Sequence, residues 1–255
     1  MAKYGSTGAE VRAIQHALGL VIDGHFGAKT KAAVVDFQRV NRLKPDGIVG
    51  PHTWSLLKIE LGAKELLPLD RSAFFNEVRG LFRGGLKQSQ VDGLNALLDA
   101  VTGCGINEAA YMLATACHET DFTMLPIEER GKGRGRDYGK RLKESRQPYN
   151  DTAAIFYGRG YVQLTWYENY AKAGQKLGIN LLQEPELALR PLIAARIMRE
   201  GMLEGWFTGR KLSDYVGLYR AEYVGARRII NGQDKAAAIA DYAIAFETAL
   251  RKAKK

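Results

Sequence analysis

An imperfect repeat near the start of the chain limits its fold more than any other feature. "IDGHFGAKTKAAVVDFQ", from Ile22, and "PDGIVGPHTWSLL", from Pro45, share Asp-Gly, then Gly, then Thr, then an apolar run. Glycine permits the positive φ of a tight turn. Thr30 and Thr53 fall where the first turn of a helix would begin. Upstream, "GAEVRAIQHALGL" spaces Val11, Ile14 and Leu18 as one helical stripe. The region therefore reads as three short helices joined by two Asp-Gly turns, a small bundle with a core of its own.

The rest of the chain is also helical in pattern. Its 255 residues suffice for one large domain, or for a large and a small one. Asp70 is placed as an N-cap, with Leu69 and Phe74 as a hydrophobic staple. Phe74, Phe75, Val78, Leu81 and Phe82 form one stripe; Val91, Leu94, Leu97, Leu98 and Val101 form another, stopped by Gly103. A helix from Tyr111 to Glu119 follows, with Asn107 as its expected cap, and later helices are expected around Leu192 to Gly205 and Lys235 to Lys252. No strand alternation is sustained. The expected fold is mainly α: a three-helix module over 1–62, a linker over 63–70 and a larger helical domain over 71–255.

Composition narrows the class. With 46% hydrophobic and 25% charged residues the chain is of ordinary globular type, and no run is long and apolar enough to span a bilayer. "MAKYGSTGAEVR" has no apolar signal core, so the expectation is a product of the cytoplasm that needs another agent to release it. Cys104 and Cys117 are too few for a disulfide framework. Cys117 lies in an apolar run, which favours a small buried thiol; adjacent helical residues point apart, which disfavours a Cys117–His118 nucleophile. "HETDF" begins like HExxH but lacks the second His, and no metal or other cofactor is expected. The net charge of +9 favours anionic partners: nucleic acid, an acidic membrane surface or a cell wall.

The chemistry centres on "AAYMLATACHETDF", Ala109 to Phe122, an apolar helix that ends on an ionisable pair. The negative end of the helix dipole and apolar neighbours both raise a carboxyl pKa. A Glu119 kept protonated in this way would suit a glycosidase general acid. The alternative is a surface Glu fraying off a helix end, and the motif alone does not decide. "LPIEERGKGRGRDYGKR" supplies Glu128 and Glu129, one of which could activate water across a sugar. "FYGRGYVQLTWYENY" gathers aromatics that stack on sugar faces with amides and hydroxyls that bind sugar oxygens, and "RRIINGQD" puts Asn231 in a turn.

Two resemblances follow. Gln15, Asp23-Gly24, Phe26-Gly27, Thr30, Phe37-Gln38, Asp46-Gly47, Gly50, Thr53 and Trp54 together resemble the three-helix peptidoglycan-binding domain of the PG_binding_1 type, over about residues 5 to 58. "HET", "GRGYVQLTWYENY" and "AARIMREGMLEGWFTGRKLSDY" resemble glycoside hydrolase family 19, the chitinase-like, lysozyme-fold enzymes that include many phage endolysins, over about Ser72 to Leu250. The resemblance implies Glu119 as general acid, Glu128 as base (with Glu129 the alternative) and Thr165 holding the attacking water. It implies sugar contacts from His118, Tyr157, Arg159, Gln163, Asn169, Tyr170 and Asn231. Glu129 would then pair with a nearby arginine. No arginine stands out as the counterpart of the family's C-terminal substrate-binding one.

The implied protein is a monomeric endolysin of muramidase type that hydrolyses peptidoglycan by inversion after holin-type release. An anionic outer membrane is a second possible partner; nucleic acid is not expected, because the basic loop from Arg130 to Arg146 lacks both a phosphate-loop ending and stacking aromatics. That loop reads first as solvated chain, and second as a cleft-side attractor of an anionic polymer. The rivals are a lytic transglycosylase, a chitinase and a catalytically dead wall-binding protein.

Overall fold

The structure, a computed structural model, describes residues 1–18, 20–54, 56–57, 69–149, 151–217 and 220–254. The expected linker and module boundary lie, apart from Leu69 and Asp70, outside the described residues. Buried apolar side chains form two clusters, one from Ala2 to Leu57 and one from Phe74 to Ala253.

In the first, α1 (Ala9–Ala17) and α2 (Ala28–Val40) are followed by helical residues 51–54 and 56–57. The repeat is held by two equivalent buried glutamines. Gln15 Nε2 donates to Asp23 Oδ1, the His25 carbonyl and Thr30 Oγ1, at 2.6, 3.0 and 3.2 Å, while its Oε1 accepts from Gly24 N–H. Gln38 does the same to Asp46, Ile48, Thr53 and Gly47, at identical spacings along the chain. Each aspartate also accepts the N–H two residues on, and this bond, with the glutamine amide, holds both carboxyls below the usual range. Gln15, Gln38, Asp-Gly and Thr in the repeat are thus what closes each turn.

The second cluster is built round α5 (Ile106–Glu119), preceded by α3 (Arg71–Val78) and α4 (Gln88–Ala100). From Ile106 to Cys117 every α5 residue but Glu108 is buried, as expected of a helix that is apolar all round. α9 (Ala236–Ala253) packs along it, and both helices bury alanines, among them Ala109, Ala110 and Ala114 on one and Ala240, Ala243 and Ala249 on the other. Asp70 caps α3 by accepting Ala73 N–H at 3.0 Å, and Asp70 N–H donates to the Ala253 carbonyl, which ties the start of this unit to its end. Asn107 is not the cap of α5. Gly105 is, and Asn107 is the second residue of the helix, buried, donating to the Gly217 carbonyl and accepting from Arg251. Cys104 and Cys117 are buried free thiols, pushed up to about 11 and about 12 by desolvation.

Between α5 and α6 (Tyr167–Leu177) lie two short antiparallel strands, β1 (Ile127–Glu128) and β2 (Arg159–Gly160), with Glu128 opposite Arg159. α7 (Pro191–Glu204) stops at Gly205 in the left-handed conformation. A second antiparallel pair, β3 (Val216–Gly217) and β4 (Arg220–Ala221), precedes the one-turn α8 (Tyr223–Ala226). The fold is mainly α, as expected, with the strands short; β1 and β2 adjoin the site, whereas β3 meets the start of α5 through Asn107 and Gly217.

Candidate active site

Glu119 is the last residue of α5, and the chain turns away sharply behind it. Thr120 is fully buried; its hydroxyl donates to the Ala116 carbonyl at 2.7 Å and accepts Met124 N–H at 3.1 Å. Asp121, Phe122 and Met124 all take positive φ. The turn leaves the Glu119 side chain at the rim of a cleft of about 750 Å³, lined also by Glu129, Tyr138, Gln163, Thr165, Trp166, Asn169 and Asn231. Five sequence-predicted residues, Glu119, Gln163, Thr165, Asn169 and Asn231, are thereby brought together from three separate segments, and Glu129, the alternative base, joins them from a fourth.

Glu119 Oε1 accepts from Arg227 Nη1 at 2.5 Å, an ion pair whose side chains are only 15% and 4% exposed. Arg227 is fixed in turn by donating from Nε to the Asp234 carbonyl at 3.1 Å. Helix end and apolar neighbours were the expected surroundings of Glu119; the guanidinium was not foreseen. Oε1 is thus committed to Arg227, which leaves Oε2 as the oxygen available to exchange a proton with a substrate. His118 is half-buried and absent from the cleft lining, contrary to expectation; burial is the main cause that lowers its pKa from the usual histidine value.

The two adjacent glutamates face different ways, as neighbours in extended chain must. Glu128 is turned from the cleft: its Oε1 accepts from Tyr157 OH at 2.7 Å and its Oε2 pairs with Lys132 at 2.9 Å, contacts that hold its pKa low. Glu129 faces the cleft. It accepts from the Tyr138 hydroxyl and, at 3.1 Å, from Gly158 N–H, and it makes no ion pair among the described residues. Of the two, Glu129, the alternative base, is the one in the cleft lining, and Glu128 is not. Burial and the Glu129 carboxylate push the Tyr138 hydroxyl up to about 12, so it stays a proton donor to that carboxylate near neutrality.

The "FYGRGYVQLTW" segment divides its residues between the cleft and the interior. Gly160 takes positive φ, and Arg159 and Leu164 close a tight turn with Gln163 at φ 51°. Gln163 lines the cleft, but its amide N–H groups are directed to the Ile127 and Gly160 carbonyls at 3.1 and 3.3 Å. A methyl at Gly158 would meet Gln163 Oε1 at 2.7 Å and Glu129 Cβ at 3.3 Å, so any larger residue there must displace the Gln163 carboxamide and press on Glu129. Tyr157, Arg159 and Tyr170, expected to contact sugar, are buried instead. The Arg159 guanidinium lies 3.6 Å from the Tyr157 ring centroid and donates to Tyr170 OH, which donates to the Tyr157 carbonyl. Their burial reflects a cation–aromatic cluster behind β2 that fixes the loop carrying Gln163 and Thr165. Trp166 follows at φ 72°, a conformation that a bulky residue adopts only when its surroundings impose it.

Lys143, Phe207, Thr208, Arg210, Arg228 and Ile230 complete the described lining with backbone and apolar neighbours. None of these was singled out from sequence as part of the site. Tyr138 and Lys143 come from the basic loop, whose remaining charges include the surface pairs Arg130–Asp121 and Arg146–Asp137.

Comparison with known proteins gives the same two units. Residues 7–57 match the family model PG_binding_1, a peptidoglycan binding domain, and residues 102–211 match Glyco_hydro_19, chitinase class I. The basic endochitinase CHB4 of Brassica napus is 33% identical over 132 residues, 49% of this chain and 48% of its own. The acidic endochitinase of Dioscorea japonica is 35% identical over 127 residues, 49% of this chain and 46% of its own. The chain thus spans about half the length of these curated relatives. Chitinase C from Streptomyces griseus has a solved structure that aligns with TM-score 0.53 at 25% identity, covering 69% of this chain and 76% of that one. The first unit is thus similar to peptidoglycan-binding domains and the second to family 19 chitinases.

Proposed function

We propose that the chain is a glycoside hydrolase that cleaves β-1,4 bonds in the glycan strands of bacterial peptidoglycan, with Glu119 as acid and Glu129 as base. The observation that carries this reading is that two carboxylates and Thr165 line one cleft, each carboxylate held by its own donors. Glu119 gives a proton from Oε2 to the leaving glycosidic oxygen as the C–O bond breaks. Glu129 takes a proton from a water that Thr165 orients, and the water oxygen bonds to the anomeric carbon. Attack by water opposite the leaving group inverts that carbon. The Tyr138 hydroxyl and Gly158 N–H aim the Glu129 carboxylate, and Arg227 aims that of Glu119. Asn169 and Asn231 are the nearby amides for sugar hydroxyls.

The wall-binding type of the first unit supports peptidoglycan as the polymer and an endolysin role, made in a bacterial host and acting on its wall in phage release. Tethering would raise the local concentration of the cleft at the wall without adding chemistry. A second reading, hydrolysis of chitin, is favoured by the names of the relatives. The test is release of soluble reducing ends from purified sacculi and from chitin. The reading expects the sacculi to be the better substrate and Glu119→Gln to lose at least ~100-fold. Preference for chitin, or near-normal activity of the folded variant, would overturn it.

A further inference from the structure

The cleft holds more positive charge than the proposed acid–base chemistry uses. Of its two carboxylates, Glu119 is already countered by Arg227. Lys143, Arg210 and Arg228 also line it, and none of the three makes an ion pair among the described residues. The segments that carry them are tied together at the Phe207–Thr208 pair. Lys143 Nζ donates to the Phe207 carbonyl at 3.3 Å. The Thr208 hydroxyl donates to the Arg228 carbonyl at 2.7 Å, with the Ile229 carbonyl 3.0 Å away, and it accepts Arg210 N–H at 3.4 Å. Three segments distant in sequence are thus pinned so that their cationic side chains share one cleft.

Like charges held together repel, and a neutral glycan would offer nothing to offset that. Three cations against the one carboxylate, Glu129, that no described arginine or lysine pairs leave an excess of positive charge, and such a cleft concentrates anionic ligands. Building on the proposed glycan-hydrolase reading, we infer that Lys143, Arg210 and Arg228 form a subsite for carboxylate groups carried on the glycan, and so select an acidic strand over a neutral one. Such carboxylates come from the lactyl ether of muramic acid or from the peptides attached to it; both have the geometry that arginine's paired N–H groups accept.

The test is calorimetric binding by the full chain carrying Glu119→Gln, which prevents turnover. The ligands are a peptide-free GlcNAc–MurNAc tetrasaccharide with free lactyl carboxylates, its lactyl methyl amide, and the peptide-bearing tetrasaccharide. The free-acid or peptide-bearing form should bind about tenfold more tightly than the amide at low salt, the difference shrinking as salt rises. A preference seen with the peptide-free acid identifies the lactyl group; one seen only with the peptide-bearing form identifies the peptide. Adding Lys143→Gln, Arg210→Gln and Arg228→Gln should abolish the preference while leaving affinity for the amide unchanged. Arg210→Gln alone, at an exposed position, should reduce it and covers the case of a triple variant that does not fold. Equal affinities in the parent, no binding of any form, or a preference that survives the substitutions would overturn the subsite. Wild-type hydrolysis of the amide separately reports on the hydrolase: acid preference without hydrolysis would sink the proposed function and leave the subsite standing.

Discussion

Replacing Arg227 by methionine probes the least expected element of the site. The substitution keeps most of the side-chain volume and removes the charge, leaving Glu119 at 15% exposure without its partner. Stripping one member from a buried ion pair typically costs 3–5 kcal/mol, because the remaining charge is uncompensated. Glu119 opens onto the cleft, where water can reach it, so the expected cost lies at the low end, about 3 kcal/mol. Loss of the Arg227 bond to the Asp234 carbonyl adds to this. At roughly 2–4 °C per kcal/mol for a domain of this size, the melting temperature should drop by about 10 °C. The decisive comparison is the double variant. If the penalty comes from a stranded carboxylate, Glu119→Gln in the Arg227→Met background should restore a large part of the lost stability. Thermal melts of the wild type, the two single variants and the double variant give the coupling directly. A single variant within about 1 kcal/mol of wild type, or a double variant no more stable than Arg227→Met, would refute the argument.

Glu129→Gln should lose at least ~100-fold in turnover on sacculi, whereas Glu128→Gln should keep appreciable turnover, since its carboxylate is engaged by Lys132 and Tyr157 away from the cleft; the opposite pattern would make Glu128 the base. Gly158→Ala should cut turnover about tenfold or more by displacing Gln163 and Glu129, and a fully active variant would mean the loop yields without disturbing either. Asp23 and Asp46 have carboxyls lowered from 3.8, first by the N–H groups of His25 and Ile48 and then by the glutamine amides. Their contribution is therefore present above that ordinary value and lost as the pH falls through the lowered one. Calorimetric melts between about pH 5 and pH 3 should show acid destabilisation that Asp23→Asn with Asp46→Asn flattens, and an unchanged acid limb would remove these aspartates as its source.

What was legible in the sequence was local. Asp70 reads as a cap because its carboxylate reaches only three residues along, and the helix expected around Leu192 to Gly205 ends at Gly205, where glycine takes the left-handed conformation. The Asp-Gly turns read correctly for the same reason. α6 was missed although Tyr167, Tyr170, Gly174 and Leu177 recur at helical spacing, because its aromatics and amides drew attention to sugar binding instead. The choice between Glu128 and Glu129 depends on which face of β1 meets the cleft, and that is set by pairing with β2, more than thirty residues on, at Arg159 and Gly160. Tyr157, Arg159 and Tyr170 have the composition of a sugar site, yet they spend it on one another. Arg227 lies 108 residues from Glu119, and nothing nearby in sequence marks it as its partner. "RRIINGQD" did direct attention to that turn, but through Asn231 rather than the arginines beside it.

The central claim is that water, activated by Glu129 and admitted beside Glu119, cleaves a glycan strand of the wall. Digestion of purified sacculi in ¹⁸O-labelled water, followed by mass spectrometry of the soluble fragments, tests it most directly. The account predicts fragments with new reducing ends, each carrying one labelled oxygen, and their near-complete loss with Glu129→Gln. Anhydro ends without label would contradict it, since they require departure of the leaving group without attack by water.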